Sequence, residues 1–125
     1  MKIIPLYAAL LAILFVGLSI RTLRLRKGLR IAIGDGGNPQ MLRAMRVHAN
    51  FAEYTPLALI LLVIAELHGA PAWSLHVLGA GLLLGRVSHA YGVSQPNEVY
   101  RFRVAGMALT FTVLLATSAC LLWMR

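Results

Sequence analysis

The sequence predicts an all-α membrane protein: one domain, residues 1–125, built as a bundle of four transmembrane helices. Three observations carry this. Of 125 residues, 59% are hydrophobic and only 13% charged, about half the charged share of a soluble domain. A chain this short buries the smallest fraction of its surface, so a soluble fold has no interior large enough for so much apolar matter. The apolar residues also fall in four blocks, and the basic residues are gathered mainly in two of the connections between them. The same composition excludes a disordered chain, and a lone cysteine, Cys120, excludes a disulfide scaffold.

The first span, residues 3–20, carries no charge. Lys2 and the apolar run after it have the outline of a secretory signal. A basic cluster follows at once, however, without a small-residue cleavage site, so the segment is expected to remain a membrane helix. The second span, residues 47–67, is interrupted by Glu53 and closed by Glu66. The third, residues 71–91, is apolar from Pro71 to about Gly85. The apolar parts of these two are shorter than the ~20 residues that cross about 30 Å of hydrocarbon, and flanking polar turns complete them. The fourth, residues 102–124, is uncharged from Val104 to Met124. Trp123, Met124 and Arg125 read as an interfacial anchor.

The punctuation agrees with helices. Pro5, Pro39 and Pro71 stand near helix starts, where a missing N–H costs nothing. Asn38 is suited to cap a helix opening at Pro39, just after the break at Gly34-Asp35-Gly36-Gly37. Pro56 lies inside helix two, where it is expected to introduce a kink. Ser94-Gln95-Pro96-Asn97 reads as the turn between helices three and four. The segment between spans one and two holds Arg21, Arg24, Arg26, Lys27, Arg30, Arg43 and Arg46, and Arg86, Arg101 and Arg103 flank the connection between spans three and four. The short connection Glu66 to Ala70 has neither Lys nor Arg. The excess of basic residues predicts that both basic segments are cytoplasmic and both termini outside. The run Arg21 to Arg30 suits anionic lipid beside a membrane span better than nucleic acid, and no nucleic-acid partner is expected.

Polar residues within the spans point to a site. At about 100° per residue, Arg43, Arg46, Asn50, Glu53 and Tyr54 share a wedge of helix two roughly 100° wide, and His48 points the other way. Ionisable residues near the membrane are expensive and usually paired or turned to a polar cavity. An Arg46–Glu53 ion pair would span two turns, a poor distance for direct contact. Helix three ends with Arg86, Ser88, His89 and Tyr91, and helix four opens with Arg101, Phe102 and Arg103. All lie at one depth. Several arginines with one carboxylate and one carboxamide suit a ligand bearing more than one carboxylate and an amine, because the arginine fork matches a carboxylate and Glu53 suits an ammonium. The histidines 48, 68, 76 and 89 have no metal-binding spacing, so no metal is expected. The glycines at 34, 36 and 37 fit a turn rather than a phosphate loop.

These residues resemble the MAPEG family, the membrane-associated proteins in eicosanoid and glutathione metabolism. The stretch from Arg43 to Pro56, with Arg46, Asn50, Glu53-Tyr54 and Pro56, looks like the family's helix-two signature. Gly85-Arg86-Val87-Ser88-His89-Ala90 is similar to the end of its third helix, and Arg103-Val104-Ala105 to the start of its fourth. The glycine-rich Gly34–Asn38 stretch is similar to the bacterial branch, of microsomal glutathione transferase type. The resemblance implies a homotrimer in a bacterial inner membrane, with glutathione as co-substrate held between subunits near the cytoplasmic face. It implies that Arg46, Asn50, Glu53, Tyr54, Arg86 and His89 bind glutathione, together with a helix-one arginine, Arg24 or Arg26. It implies that Arg103 stabilises the thiolate; Arg101 would take that place after a slip in register, but Val104-Ala105 favours Arg103. Val93 stands where eicosanoid synthases carry tyrosine, which speaks against an eicosanoid-type reaction.

The implied activity is a glutathione-dependent transferase or peroxidase acting on lipophilic electrophiles that arrive through the bilayer, between helices one and four. Two other functions fit the chain: a glutathione- or anion-binding membrane protein with little turnover, and a small four-span exporter. An exporter needs a carboxylate deep in a span, and spans one and four have none.

Overall fold

A computed structural model describes residues 2–125; Met1 lies outside the described residues. The chain forms four helices, α1 (Ile4–Leu29), α2 (Pro39–Leu67), α3 (Ala72–Ser94) and α4 (Tyr100–Trp123). Each expected span lies within or closely overlaps one of them. At 1.5 Å per residue the 26 residues of α1 measure about 39 Å, so the helix extends well past its apolar part into the basic cluster. It stops at Arg30, whose left-handed φ of 56° turns the chain away. The Arg30 and Ile31 N–H groups return to the carbonyls of Lys27 and Arg26, at 3.4 and 3.0 Å.

The start of α2 follows from local chemistry. Asn38 is extended at φ −91°, its side-chain oxygen accepts from the Met41 N–H at 3.0 Å, and Pro39 follows. The helix runs without interruption through Pro56. α1, α2 and α4 are long and apolar enough to cross a membrane. α3, at 23 residues, is long enough, but His76, Arg86 and His89 dilute its apolar character.

The start of α1 and the end of α4 lie at one end of the bundle, beside the end of α2. There Glu66, near the end of α2, accepts from the Ile3 N–H and, at 3.2 Å, from the Ile4 N–H. A carboxylate thus satisfies free donors at the positive end of α1. Tyr7 of α1 meets His76 of α3 beside it, O–N 2.9 Å. At the other end Arg21 donates to Ser94 at 2.6 Å. The helices therefore alternate in direction, and both basic segments share the end opposite the termini.

The core is continuous along the bundle and includes Ile4, Leu11, Leu62, Leu75, Leu82 and Val113. α3 and α4 pack closest. A Cβ added to Gly106 would lie 2.5 Å from the Gly85 carbonyl oxygen and 2.6 Å from the His89 nitrogen, so only glycine permits this approach. Such small-residue contacts suit membrane helices, which associate by close packing. Among the described residues α1 packs on α2 and α3 but not on α4. The expected entrance between helices one and four is therefore not formed by adjacent helices of a single chain. The outer faces are apolar, with Ile13 and Leu115 each 71% exposed, a surface that water would not tolerate in a small monomer but lipid does.

Candidate functional site

A cleft of about 270 Å³ opens at the end of the bundle that carries the basic segments. α2 supplies Pro39, Leu42, Arg43, Arg46 and Asn50; α3 supplies His89 and Val93; α4 supplies Arg103; and the α3–α4 connection adds Glu98. Four of the expected residues, Arg46, Asn50, His89 and Arg103, are thus brought together.

Helix periodicity places the α2 side chains, since Arg43, Arg46 and Asn50 recur at intervals of one turn. Arg103 is placed by glycine. A Cβ on Gly92 would fall 2.6 Å from the Arg103 nitrogen, so the first turn of α4 can rest on the end of α3. The Val99 N–H donates to the Gly92 carbonyl at 3.1 Å, and the Phe102 and Arg103 N–H groups donate to the Val99 carbonyl. Ser88 adds a bond to the Phe102 carbonyl at 2.8 Å. This register turns Arg103, rather than Arg101, into the cleft.

Arg86 stands behind the cleft. Its side chain is essentially fully buried, and it donates to Asn50 Oδ1 and Thr110 Oγ1, both at 2.6 Å, with longer contacts to the Gly106 carbonyl and Met107 Sδ. Its guanidinium carbon lies 5.9 Å from the centre of the Tyr54 ring, a cation–π distance. Tyr54 itself faces α4, edge-on to Phe111 at 5.5 Å. Arg86 and Tyr54 therefore support the wall of the cleft rather than line it.

Glu53 and Arg46 form an ion pair at 3.9 Å, with side chains 51% and 58% exposed. The contact expected to be poor across two turns exists, but it is long and open. Arg26 donates to the carbonyls of Gly34 at 2.8 Å and Ala32 at 3.5 Å, holding the α1–α2 loop. Arg24 borders a separate recess with Gly17, Arg21 and Gln40. Within one chain neither helix-one arginine reaches the cleft. His48 turns to α1, stacked on Phe15 and 2.9 Å from Ser19 Oγ.

Two further cleft residues belong with this set. Arg43 shares the helix-two wedge; it donates to the Val93 carbonyl at 3.3 Å and lies 3.7 Å from Glu98. Glu98 was not singled out in the sequence. It accepts from Arg103 at 2.8 Å. Its signal was its rarity, as one of only four acidic residues, placed just ahead of the Arg101–Arg103 pair.

Chemically, the cleft is lined by three guanidinium groups, a carboxamide held from behind through its oxygen, a histidine and one carboxylate. Guanidinium groups so gathered suit an anion with several acceptor oxygens.

The sequence model of the MAPEG family matches residues 4–123. Inner membrane protein YecN of Escherichia coli, from strain K12 and from an O6:H1 strain, is in each case 40% identical over 118 residues, covering 94% of this chain and 88% of the relative.

Proposed function

The chain belongs to the MAPEG family, and on that premise we propose that it is a membrane-embedded glutathione-dependent transferase or peroxidase. The observation that carries this is the convergence of Arg43, Arg46, Asn50, His89 and Arg103, from three helices, on one cleft. Glutathione offers two carboxylates and an ammonium. The arginine forks suit the carboxylates, and Glu53, half-exposed and 3.9 Å from the cleft residue Arg46, suits the ammonium.

In this proposal Arg103 is the catalytic residue. A free cysteine thiol has a pKa of about 8.5. A guanidinium beside the sulfur in a low-dielectric site favours the thiolate. A pKa lower by about two leaves most of the thiol ionised near neutral pH, which corresponds to about 2.7 kcal/mol. The thiol proton passes to solvent, and the sulfur lone pair then forms a bond to the electrophilic atom as the leaving group departs with its electron pair. With a hydroperoxide, the sulfur attacks the terminal oxygen, the O–O bond breaks and the alkoxide leaves and takes a proton as the alcohol; a second glutathione thiolate then displaces hydroxide, released as water, from the sulfenic acid to give the disulfide. Apolar electrophiles concentrate in the bilayer, so they reach such a site laterally.

A homotrimer completes the proposal. The cleft volume is at the small end for ligand pockets, and the Arg46–Glu53 pair lies half-exposed beside an apolar span. Charges there are costly against lipid, so a second copy over this face covers them, deepens the cleft and brings in Arg24 of its α1. The termini are assigned to the outer side of a bacterial inner membrane, and the cleft to the cytoplasmic side, from the basic connections and the inner-membrane name of the relative.

A second reading, a glutathione- or anion-binding protein with little turnover, draws support from one contact: Arg103 is already paired with Glu98. Calorimetric titration of glutathione into the detergent-solubilised protein tests the shared claim. Binding at or below millimolar concentration is expected. Its absence at that concentration overturns glutathione as the ligand in both readings and leaves only a site for another anion, and native mass spectrometry of the same sample checks for three copies. A product assay with a lipophilic electrophile then separates an enzyme from a binder.

A further inference from the structure

We propose that Glu98 is a tethered anion that occupies the arginine cleft in the absence of ligand and that incoming glutathione displaces it, the thiolate taking its place at Arg103 and a carboxylate its place at Arg43. This rests on the reading of the cleft as a glutathione site. One Glu98 oxygen accepts from Arg103 at 2.8 Å, and the other lies 3.7 Å from Arg43. The carboxylate thus bridges α2 and α4 across the cleft and holds both guanidinium groups that the ligand's anionic groups would engage. The other acidic residues are committed elsewhere: Asp35 accepts from the Gly37 N–H in the α1–α2 loop, Glu66 caps α1, and Glu53 pairs with Arg46.

The setting suits a displaceable group. Glu98 lies in the short connection after Pro96, and the next residue, Val99, is anchored to Gly92 by its backbone. The Glu98 side chain can swing aside by rotation about its own bonds while the first turn of α4 keeps its place. The Arg103 side chain is 49% exposed and that of Glu98 23%, so water reaches the pair and screens it. Such pairs are weak, which makes Glu98 a competitor that an anion can outbid rather than a lock. Its negative charge also repels an approaching anion until it moves.

The test compares the full-length wild type with Glu98→Gln, a substitution in a partly exposed connection that keeps the side chain's shape. Glutathione affinity is measured by calorimetry. In separate ligand-free samples, phenylglyoxal modification of each arginine is followed by peptide mass spectrometry. The variant is expected to bind glutathione roughly two- to five-fold tighter, the worth of one partly exposed ion pair. Modification of Arg103 is expected to accelerate, while that of Arg26, held by loop carbonyls, stays unchanged. Unchanged affinity overturns the proposal, as does an unchanged rate at Arg103. Weaker binding also overturns it, and would make Glu98 an acceptor for the ligand's ammonium. If neither protein binds glutathione, the glutathione reading fails, and the rate at Arg103 alone decides whether Glu98 holds the cleft.

Discussion

Arg86 of α3 donates to the side-chain oxygen of Asn50 on α2 at 2.6 Å. The bond fixes a cleft residue from the protein interior, because Arg86 is 1% exposed and Asn50 lines the cleft. Replacing Arg86 by Met keeps much of the volume and removes the donors. Asn50 Oδ1 is then left without this partner, at a cost of about 1–3 kcal/mol. Arg86→Met should therefore lower the unfolding midpoint in detergent. Glutathione affinity should fall with it, although Arg86 does not line the cleft. Unchanged stability would mean that solvent or another side chain replaces the bond.

Glu66 ties the end of α2 to the start of α1 through the Ile3 and Ile4 N–H groups. Glu66→Gln removes the charge that faces the helix dipole but leaves an acceptor, and Glu66→Ala removes both. The expected losses are about 0.3–1 kcal/mol for Gln and about 0.5–2 kcal/mol for Ala. Hydrogen exchange at Leu6 and Tyr7 should rise in the same order. The cleft is at the other end of the bundle, so glutathione binding should be unaffected.

Gly106 allows α4 to touch the backbone of α3 at Gly85 and His89. An Ala there has no flexible neighbour to displace, since the nearest atoms are backbone. Gly106→Ala should push the helices apart at a cost of about 1–3 kcal/mol. Because His89 and Arg103 are set by this pairing, activity should fall with stability. Gly17→Ala serves as the control: nothing lies within 4 Å of its Cβ position, and no loss is expected.

The fold was largely legible because its signals are local. An uncharged apolar block declares a span, and Asn38 before Pro39 declares a helix start, whatever packs on it. The shared wedge of Arg43, Arg46 and Asn50 was legible for the same reason, since helix geometry alone sets it. What was not legible depended on partners distant in sequence. Whether Arg86 lines a cleft or supports its wall is decided by Asn50 and Thr110 on two other helices. Glu98 carried no pattern of its own, because the arginine that it meets on α2 is brought near only by the packing of α3. The place of Arg24 and Arg26 was not legible either, since within one chain neither reaches the cleft and Arg26 is held by the Gly34 carbonyl in the α1–α2 loop.

The proposed chemistry rests on Arg103. Titrating the protein–glutathione complex with pH while recording thiolate absorbance tests it most directly, with wild type and Arg103→Ala side by side. In wild type the thiolate should form well below the free thiol's pKa of about 8.5. In Arg103→Ala it should return toward that value, with turnover reduced on the order of a hundredfold and affinity reduced far less. A thiol that titrates alike in both proteins, or equal losses of binding and turnover in the variant, would contradict the assignment of Arg103 as the group that activates glutathione.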